Sequence, residues 1–228
     1  MIKREIQNSI LADFKRKKVI VLLGARQVGK TTLLLSLQSD KERVLSLNCD
    51  NIDDRLLLEA RTSTELKYLL SSYDMAFIDE AQRVKNIGLT LKMIGDLKLD
   101  TQIVVTGSSS FDMANEINEP ATGRLIEYNL YPFSLAELAA DTSEREEKRL
   151  LENRLIYGLY PEVVTEPADA KRTLMSLTNN YLYKDLFSYK GLKKPDVIQK
   201  LVRALALQLG SEVSYNELSN LLGIDKET

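Results

Sequence analysis

The sequence has no histidine and a single cysteine, and these two scarcities exclude several classes of chemistry. Without histidine there is no Ser-His catalytic arrangement, no histidine general base and no histidine-ligated zinc. One thiol, Cys49, forms neither an intramolecular disulfide nor a multi-cysteine metal site. We expect Cys49 to pack as a small residue at the end of a strand, in a protein of the reducing cytoplasm.

Long apolar runs and an excess of one charge are also missing. No stretch approaches the roughly 18 apolar residues that span a bilayer. The first residues alternate polar and apolar at helical spacing, unlike a signal peptide. The 31 Lys and Arg residues nearly balance the 33 Asp and Glu residues, giving a net charge of -2, so no polycationic surface for nucleic acid is indicated. We expect a soluble cytoplasmic protein with no membrane partner.

The most specific feature present is residues 24–31, GARQVGKT, which match the phosphate-loop pattern G-x-x-x-x-G-K-[ST] at every fixed position. An apolar run at 19–23 predicts a strand before it, and residues 32–37 predict a helix after it. Lys30 would reach the β- and γ-phosphates, and the Thr31 hydroxyl would ligate Mg²⁺. The predicted nucleotide-contacting residues are Gly24, Ala25, Arg26, Gln27, Val28, Gly29, Lys30, Thr31 and Thr32.

A second motif is the apolar strand predicted at residues 75–78, which ends in two carboxylates, Asp79 and Glu80. Asp79 would hold Mg²⁺, as the Walker-B aspartate does in phosphate-loop enzymes. Glu80 would lie beside the γ-phosphate and orient an attacking water. An acidic pair at a strand end is also common in surface turns, but its position one crossover after a phosphate loop favours the catalytic interpretation.

Small polar residues end the next predicted strand, in the segment TGSSS. A hydroxyl at this position would hydrogen-bond the attacking water or the γ-phosphate, and the candidates are Thr106, Ser108 and Ser109. The alternative role for the last of these is to cap the helix that follows, and the sequence leaves both roles open.

Arg124 precedes the last predicted strand. It is a candidate to stabilise the γ-phosphate charge, in its own chain or in a neighbouring subunit. The alternative is an ordinary surface arginine.

Apolar runs alternate with helical stretches in the first part of the chain, which predicts a three-layer α/β fold with parallel strands covered on both faces. Ser134 and Glu137 predict a capping box at the helix after the last strand. Beyond about Glu144 only helices are predicted, with a break at residues 158–161. The predicted strands are 19–23, 44–47, 75–78, 103–105 and 125–130.

The last part of the sequence predicts helices over residues 168–189 and 196–209, followed by a short helix capped by Ser214. Gly223 would form the tight turn of a helix-turn-helix whose second helix begins near Lys226. Because the sequence stops two residues later, we expect this chain to be a fragment of a longer protein.

Together these segments resemble a group of prokaryotic AAA-type ATPases, in which a core of this kind precedes a winged helix and a nuclease-like C-terminal domain. The resemblance implies a phosphate-loop NTPase core with a parallel five-stranded sheet of order 5-1-4-3-2. The segments that carry it are VIVLLGARQVGKTTLL, AFIDEAQR, VVTGSSS, TGR, YNLYPFSLAEL, GLYPEVV, YLYKDLF and VSYNELSNLLGID.

The same resemblance implies an ATPase core over residues 1–142, a helical lid over 143–194 and an incomplete winged helix over 195–228. It also implies ATP and Mg²⁺ as ligands. They would be handled by Lys30, Thr31, Asp79, Glu80 and a sensor serine, with Arg124 as a charge stabiliser. The recognition helix, the wing and the nuclease-like domain are missing from this sequence.

Three functions fit these features. The first is Mg²⁺-dependent ATP hydrolysis with water oriented by Glu80, coupled to movement of the C-terminal helices and slow in an isolated subunit. The second is a nucleotide-gated module that binds duplex DNA or a protein partner, alone or as an oligomer. The third, a small-molecule kinase, is disfavoured by the adjacent carboxylates Asp79 and Glu80.

Overall fold

The computed structural model describes residues 1–38, 43–108, 123–182 and 195–224. The chain divides into two compact units, Met1–Pro167 and Ala168–Thr228. None of the helices within these described ranges is long and apolar enough to cross a membrane. The predicted boundaries after residues 142 and 194 stay a prediction; the helices between residues 144 and 165 belong to the same unit as the sheet.

The first unit contains one parallel sheet of five strands, in the order β2-β3-β4-β1-β5. Neighbouring strands pair in parallel, with Ile20 opposite Val104 in β4 and opposite Ile126 in β5. This confirms the predicted order 5-1-4-3-2. The strands are β1 (Val19–Gly24), β2 (Val44–Asn48), β3 (Met75–Asp79), β4 (Gln102–Gly107) and β5 (Leu125–Leu130).

Helices cover both faces of the sheet, because the central strands are apolar on both sides. Every residue of β1 and β4 is buried. Alternate β1 side chains join different cores: Val19, Val21 and Leu23 pack on one face, and Ile20 and Leu22 on the other. Strands with this pattern need two covering layers, as the predicted three-layer fold requires.

The predicted capping box forms at the helix that follows the last strand. The Ser134 side chain accepts a hydrogen bond from Glu137 N at 3.0 Å, and the glutamate side chain accepts from Ser134 N at 3.0 Å. The helical segment predicted between Glu144 and the break at residues 158–161 forms as two helices, divided at Leu150. The helices are α1 (Ile6–Asp13), α2 (Lys30–Leu37), α3 (Ile52–Leu56), α4 (Ser63–Leu70), α5 (Ile87–Leu97), α6 (Leu135–Asp141), α7 (Glu144–Arg149), α8 (Leu151–Tyr157) and α9 (Pro161–Thr165).

The second unit is helical wherever it is described. Its helices are α10 (Ala170–Leu177), α11 (Pro195–Leu207) and α12 (Tyr215–Leu222), and a wider turn, Thr178–Leu182, continues α10. Ser214 caps α12 as predicted, since its side chain accepts from Glu217 N. Gly223 ends α12 with φ of 63°, the left-handed conformation expected of the predicted turn. The second helix predicted near Lys226, and residues 183–189 of the predicted long helix, lie outside the described residues.

Candidate active site

The predicted site residues of three strands meet at one edge of the sheet. All strands run in the same direction, so the carboxyl ends of β1, β3 and β4 lie side by side. The phosphate loop leaves β1, Asp79 ends β3, and Ser108 follows β4. This edge is where ligands bind in open α/β sheets.

The loop after β1 has a shape that only glycine permits at two positions. A Cβ atom on Gly24 would lie 2.5 Å from the carbonyl oxygen of Leu130 in β5, which is closer than Cβ atoms approach a non-bonded oxygen in proteins. Gly29 has φ of 96° where α2 begins. The glycines are therefore required by the protein's own packing and backbone, before any ligand is considered.

The side chain of Lys30 forms hydrogen bonds with the backbone of the loop. This side chain is buried, and Nζ donates to the carbonyl oxygens of Gly24 at 2.9 Å and Ala25 at 3.0 Å. The ammonium group thus lies within the curve of the loop, at the amino end of α2, where backbone N–H groups also favour an anion.

Asp79 joins the loop to the sheet. Its Oδ2 accepts from the Thr31 hydroxyl at 3.0 Å, and its Oδ1 accepts from the hydroxyl of Thr106. Adjacent oxygen ligands of an octahedral Mg²⁺ at its usual 2.0–2.1 Å lie about 2.9 Å apart. The Thr31 and Asp79 oxygens have this separation, so they fit two positions of a Mg²⁺ site.

Glu80 has an unusual backbone conformation, with φ of 54° and ψ of 40°. Its N–H bridges Asp79 Oδ1 at 3.1 Å and Thr106 Oγ1 at 3.2 Å, which offsets the cost of a left-handed non-glycine residue. The side chain accepts from Gln82 Nε2. The strained turn places two consecutive carboxylates at one strand end.

The sensor candidates have different positions. Thr106 is fully buried, and its hydroxyl donates to the carboxylate of Asp79. Ser108 is half-buried at the end of β4, and its N–H lies 3.4 Å from Gln82 Oε1. Ser109 lies outside the described residues.

Arg124 lies at the other edge of the sheet. Its carbonyl accepts from Val19 N, its guanidinium pairs with Asp96 of α5, and β5 begins at the next residue. The length of β1 separates it from the loop, about 16 Å at 3.3 Å per residue. The expectation that it acts on phosphates of its own chain is corrected by this parallel topology. Action in a neighbouring subunit stays a prediction.

A buried arginine, Arg4, contacts the phosphate loop, and no sequence motif singled it out. Arg4 Nε pairs with Glu137 Oε1 at 3.0 Å, and its guanidinium donates to the carbonyl oxygens of Val28 and Tyr131. It also lies 4.8 Å from the centre of the Phe133 ring. Arg4 thus connects the phosphate loop to the segment after β5. The capping box signalled Glu137, but no local pattern signalled its partner.

The sequence GLYP brings a second element to the loop. Pro161, the first residue of α9, approaches within 3.8 Å of the position of a Cβ atom on Gly29. The carbonyl of Leu159 accepts from Phe133 N at 2.9 Å, which holds this segment beside the Arg4 cluster, formed by Arg4, Phe133 and Glu137. The first residue of α9 therefore lies beside the loop within the first unit.

Cys49 has the packing role expected of it. The residue is fully buried directly after β2, and its N–H donates to the carbonyl of Asp79 at 2.9 Å. Burial, with smaller contributions from Asp54 and Asp79, raises the pKa of its thiol to about 12. The thiol therefore keeps its proton at neutral pH and is a poor nucleophile.

Comparison with known families agrees with this geometry. A family model described as an AAA domain matches residues 16–139, which include the loop, Asp79, Glu80 and all five strands. The chain belongs to this AAA domain family, and its fold is that of the phosphate-loop NTPases. A second model, described as a domain of unknown function, matches residues 148–228.

Similar proteins come from both bacteria and archaea. The chain is 28% identical over 241 residues to an uncharacterized protein of Haemophilus influenzae, covering 97% of this chain and 60% of that protein. It is 25% identical over 272 residues to an uncharacterized protein of Methanocaldococcus jannaschii, covering 100% of this chain and 56% of that one. The chain thus spans less than two thirds of these curated relatives.

One solved structure has the same fold along nearly the whole chain. It is the Walker-type ATPase of Pyrococcus abyssi, with a TM-score of 0.56 and 16% identity, covering 98% of this chain and 88% of that one. The winged helix and nuclease-like domain implied by the earlier resemblance have no counterpart among these findings.

Proposed function

We propose that the chain binds Mg-ATP and hydrolyses the terminal phosphate by water attack. The observation that carries the proposal is the hydrogen-bonded network at the carboxyl edge, where Asp79 accepts from Thr31 and Thr106 and is followed by Glu80. This network joins the phosphate loop to two strands. It supports both a Mg²⁺ site and a neighbouring base, which hydrolysis requires.

In this proposal the loop N–H groups and Lys30 bind the phosphates. Phosphate oxygens would replace the carbonyls of Gly24 and Ala25 as acceptors for the ammonium group, since charged acceptors form stronger hydrogen bonds. Thr31 and Asp79 would hold Mg²⁺, which offsets phosphate charge when bound. The remaining loop residues, from Arg26 to Gly29 and Thr32, would line the nucleotide.

Glu80 would accept a proton from the attacking water and orient it towards the γ-phosphate. Ser108, or Ser109 beyond it, would hydrogen-bond the same water or a phosphate oxygen. Pro161 beside Gly29 supports coupling between the nucleotide and the helices that follow the sheet, because a shift of the loop would press on α9.

The direct test is phosphate release from Mg-ATP by this chain and by its Glu80→Gln variant. We expect the variant to lose at least about a hundredfold in turnover, the lower range for a general base, while its affinity for a fluorescent ATP analogue stays within twofold. Equal turnover in both proteins would remove Glu80 from the mechanism. Lys30→Ala, which loses the phosphate contact, serves as the control for binding.

A second candidate function is a nucleotide-gated module whose output is binding of duplex DNA or a protein partner. It is supported by α12, which ends at Gly223 in the left-handed conformation expected after the first helix of a helix-turn-helix. Slow turnover with persistent ATP binding would support this function. Adding duplex DNA to the phosphate-release assay separates the two: stimulation points to a DNA effector. Change of turnover with protein concentration would point to an oligomer.

A further inference from the structure

Gln82 lies between the proposed catalytic carboxylate and the end of β4. Its Nε2 is 2.5 Å from Glu80 Oε2, and its Oε1 is 3.4 Å from Ser108 N. The side chain thus connects the two segments that would surround the attacking water. The sequence pattern assigned no role to this residue.

The two partners fix the direction of the amide. A carboxylate accepts hydrogen bonds and a backbone N–H donates, so only one orientation of Gln82 satisfies both groups. The NH₂ group faces Glu80, and the carbonyl oxygen faces Ser108. A glutamine can form both of these hydrogen bonds, whereas an acidic or apolar residue of similar size cannot.

The turn that contains Gln82 does not depend on its side chain. Backbone hydrogen bonds close the turn, from Arg83 N to the Glu80 carbonyl at 3.0 Å and from Val84 N to the Ala81 carbonyl at 2.9 Å. The buried residues that anchor it are Ala81 and Val84. Gln82 itself is half-buried, so its amide is available for a task other than folding.

We propose that Gln82 is a positioning residue that orients Glu80 for water attack and links it to the end of β4. One carboxylate oxygen of Glu80 is held by the amide, which leaves Oε1 to accept from water. A base oriented by a third group is the arrangement used in activated catalytic sites. This inference rests on the proposed function and assigns a residue of its mechanism.

Gln82→Met tests the inference, since methionine keeps the length of the side chain and loses both hydrogen bonds. We expect kcat for Mg-ATP hydrolysis to fall by about tenfold to a hundredfold, the cost of a misplaced catalytic group, with KM within twofold. The matched control is Gln7→Met, which removes an amide hydrogen bond to the Ser36 carbonyl, away from the site. It should leave kcat unchanged.

The double variant Glu80→Gln, Gln82→Met distinguishes positioning from general damage. If Gln82 acts through Glu80, its replacement costs nothing more once Glu80 is neutral, so the two effects are strongly non-additive. Additive losses would overturn the inference. Gln82→Glu, which keeps an acceptor for Ser108 but faces one carboxylate with another, should lower kcat at least as far as Gln82→Met.

A readout independent of turnover is the side-chain amide resonance of Gln82 in the nucleotide-free protein. It is assigned by its absence in Gln82→Met, and it should shift in Glu80→Ala, where the acceptor is removed. No shift would overturn the contact. If the wild type is active, Glu80→Gln is inactive and Gln82→Met is fully active, the inference about Gln82 is overturned and the proposed function stands. Wild type without turnover would overturn the proposed function as well.

Discussion

Each edge of the sheet buries a threonine hydroxyl, and the two hydroxyls donate to different kinds of acceptor. At the carboxyl edge, the Thr106 hydroxyl donates to the side chain of Asp79, which also accepts from Thr31. At the amino edge, the acceptors are backbone carbonyls. Thr101 donates to the carbonyls of Leu70 and Tyr73.

This difference in acceptors predicts which substitutions should affect activity and which should affect only stability. The Thr101 hydroxyl satisfies backbone carbonyls, so its contribution is to the fold. The Thr31–Asp79 hydrogen bond joins two side chains, so a ligand can take its place without leaving a backbone group unsatisfied. We therefore expect substitutions at the carboxyl edge to change activity as well as stability, and those at the amino edge to change stability alone. Arg4, which donates to the loop carbonyl of Val28, should also affect both.

The largest effect on stability is expected for Arg4→Met. Removing one partner of the buried Arg4–Glu137 pair leaves the carboxylate without its cation, at a cost of about 3 kcal/mol in the free energy of unfolding. Urea denaturation measures it, and Arg4→Lys should recover part of the loss. A midpoint equal to that of the wild type would show that the cluster does not support the fold.

A matched pair tests the contrast between the edges most directly. Thr106→Val and Thr101→Val each replace a buried hydroxyl by a methyl group and should each cost about 1–3 kcal/mol of stability. Only Thr106→Val should also lower ATP turnover, by about tenfold, because Asp79 loses the donor that orients it. Equal turnover in the two variants, measured well below their melting temperatures, would remove the distinction.

Cys49 allows the carboxyl edge to be tested by a change of pH, since its N–H donates to the carbonyl of Asp79. Its thiol pKa is raised from 9.0 to about 12 in the folded chain. Between these values the unfolded chain binds fewer protons at this thiol than the folded chain, so the contribution of Cys49 to stability is constant below pH 9 and falls as pH rises above it. Urea midpoints at pH 8, 9 and 10 should fall more steeply in the wild type than in Cys49→Ala. Parallel slopes would contradict the protonated thiol.

The smallest effect is expected for Arg124→Ala. Its pair with Asp96 is partly exposed, and such pairs contribute about 0–1 kcal/mol. Turnover of a monomer should not change, because the residue is at the far edge of the sheet. A loss that appears only as protein concentration rises would instead place Arg124 in a neighbour's site, and mixing with Lys30→Ala chains would show which subunit supplies it.

The sequence predicted the parts of the site that local patterns encode. Residues 24–31 have fixed spacing, Asp79 and Glu80 end an apolar strand, and Ser134 with Glu137 form a local cap. These features depend on neighbours within a few residues, where periodicity and turn chemistry are informative. The sheet order came from the resemblance of the whole chain to a known family.

The missed contacts join residues far apart in the chain. Arg4 and Glu137 are separated by 133 positions, and Thr106 meets Asp79 across 27. No spacing rule encodes such pairs, because they depend on how strands pack side by side. The case of Arg124 is different. Its place before β5 already implied the amino edge once the sheet was parallel, and this position is far from the phosphate loop of its own chain.

The contact between Gly24 and the Leu130 carbonyl has a consequence for the order of folding. The loop is shaped against β5, whose residues follow it by about a hundred positions in the chain. Pairings of such long separation form late, because closing the intervening chain is costly in entropy. During synthesis, a chain that has not yet exposed β5 and Glu137 would have the complete phosphate-loop sequence without its phosphate-binding shape. Nucleotide binding would then begin only after β5 has joined the sheet.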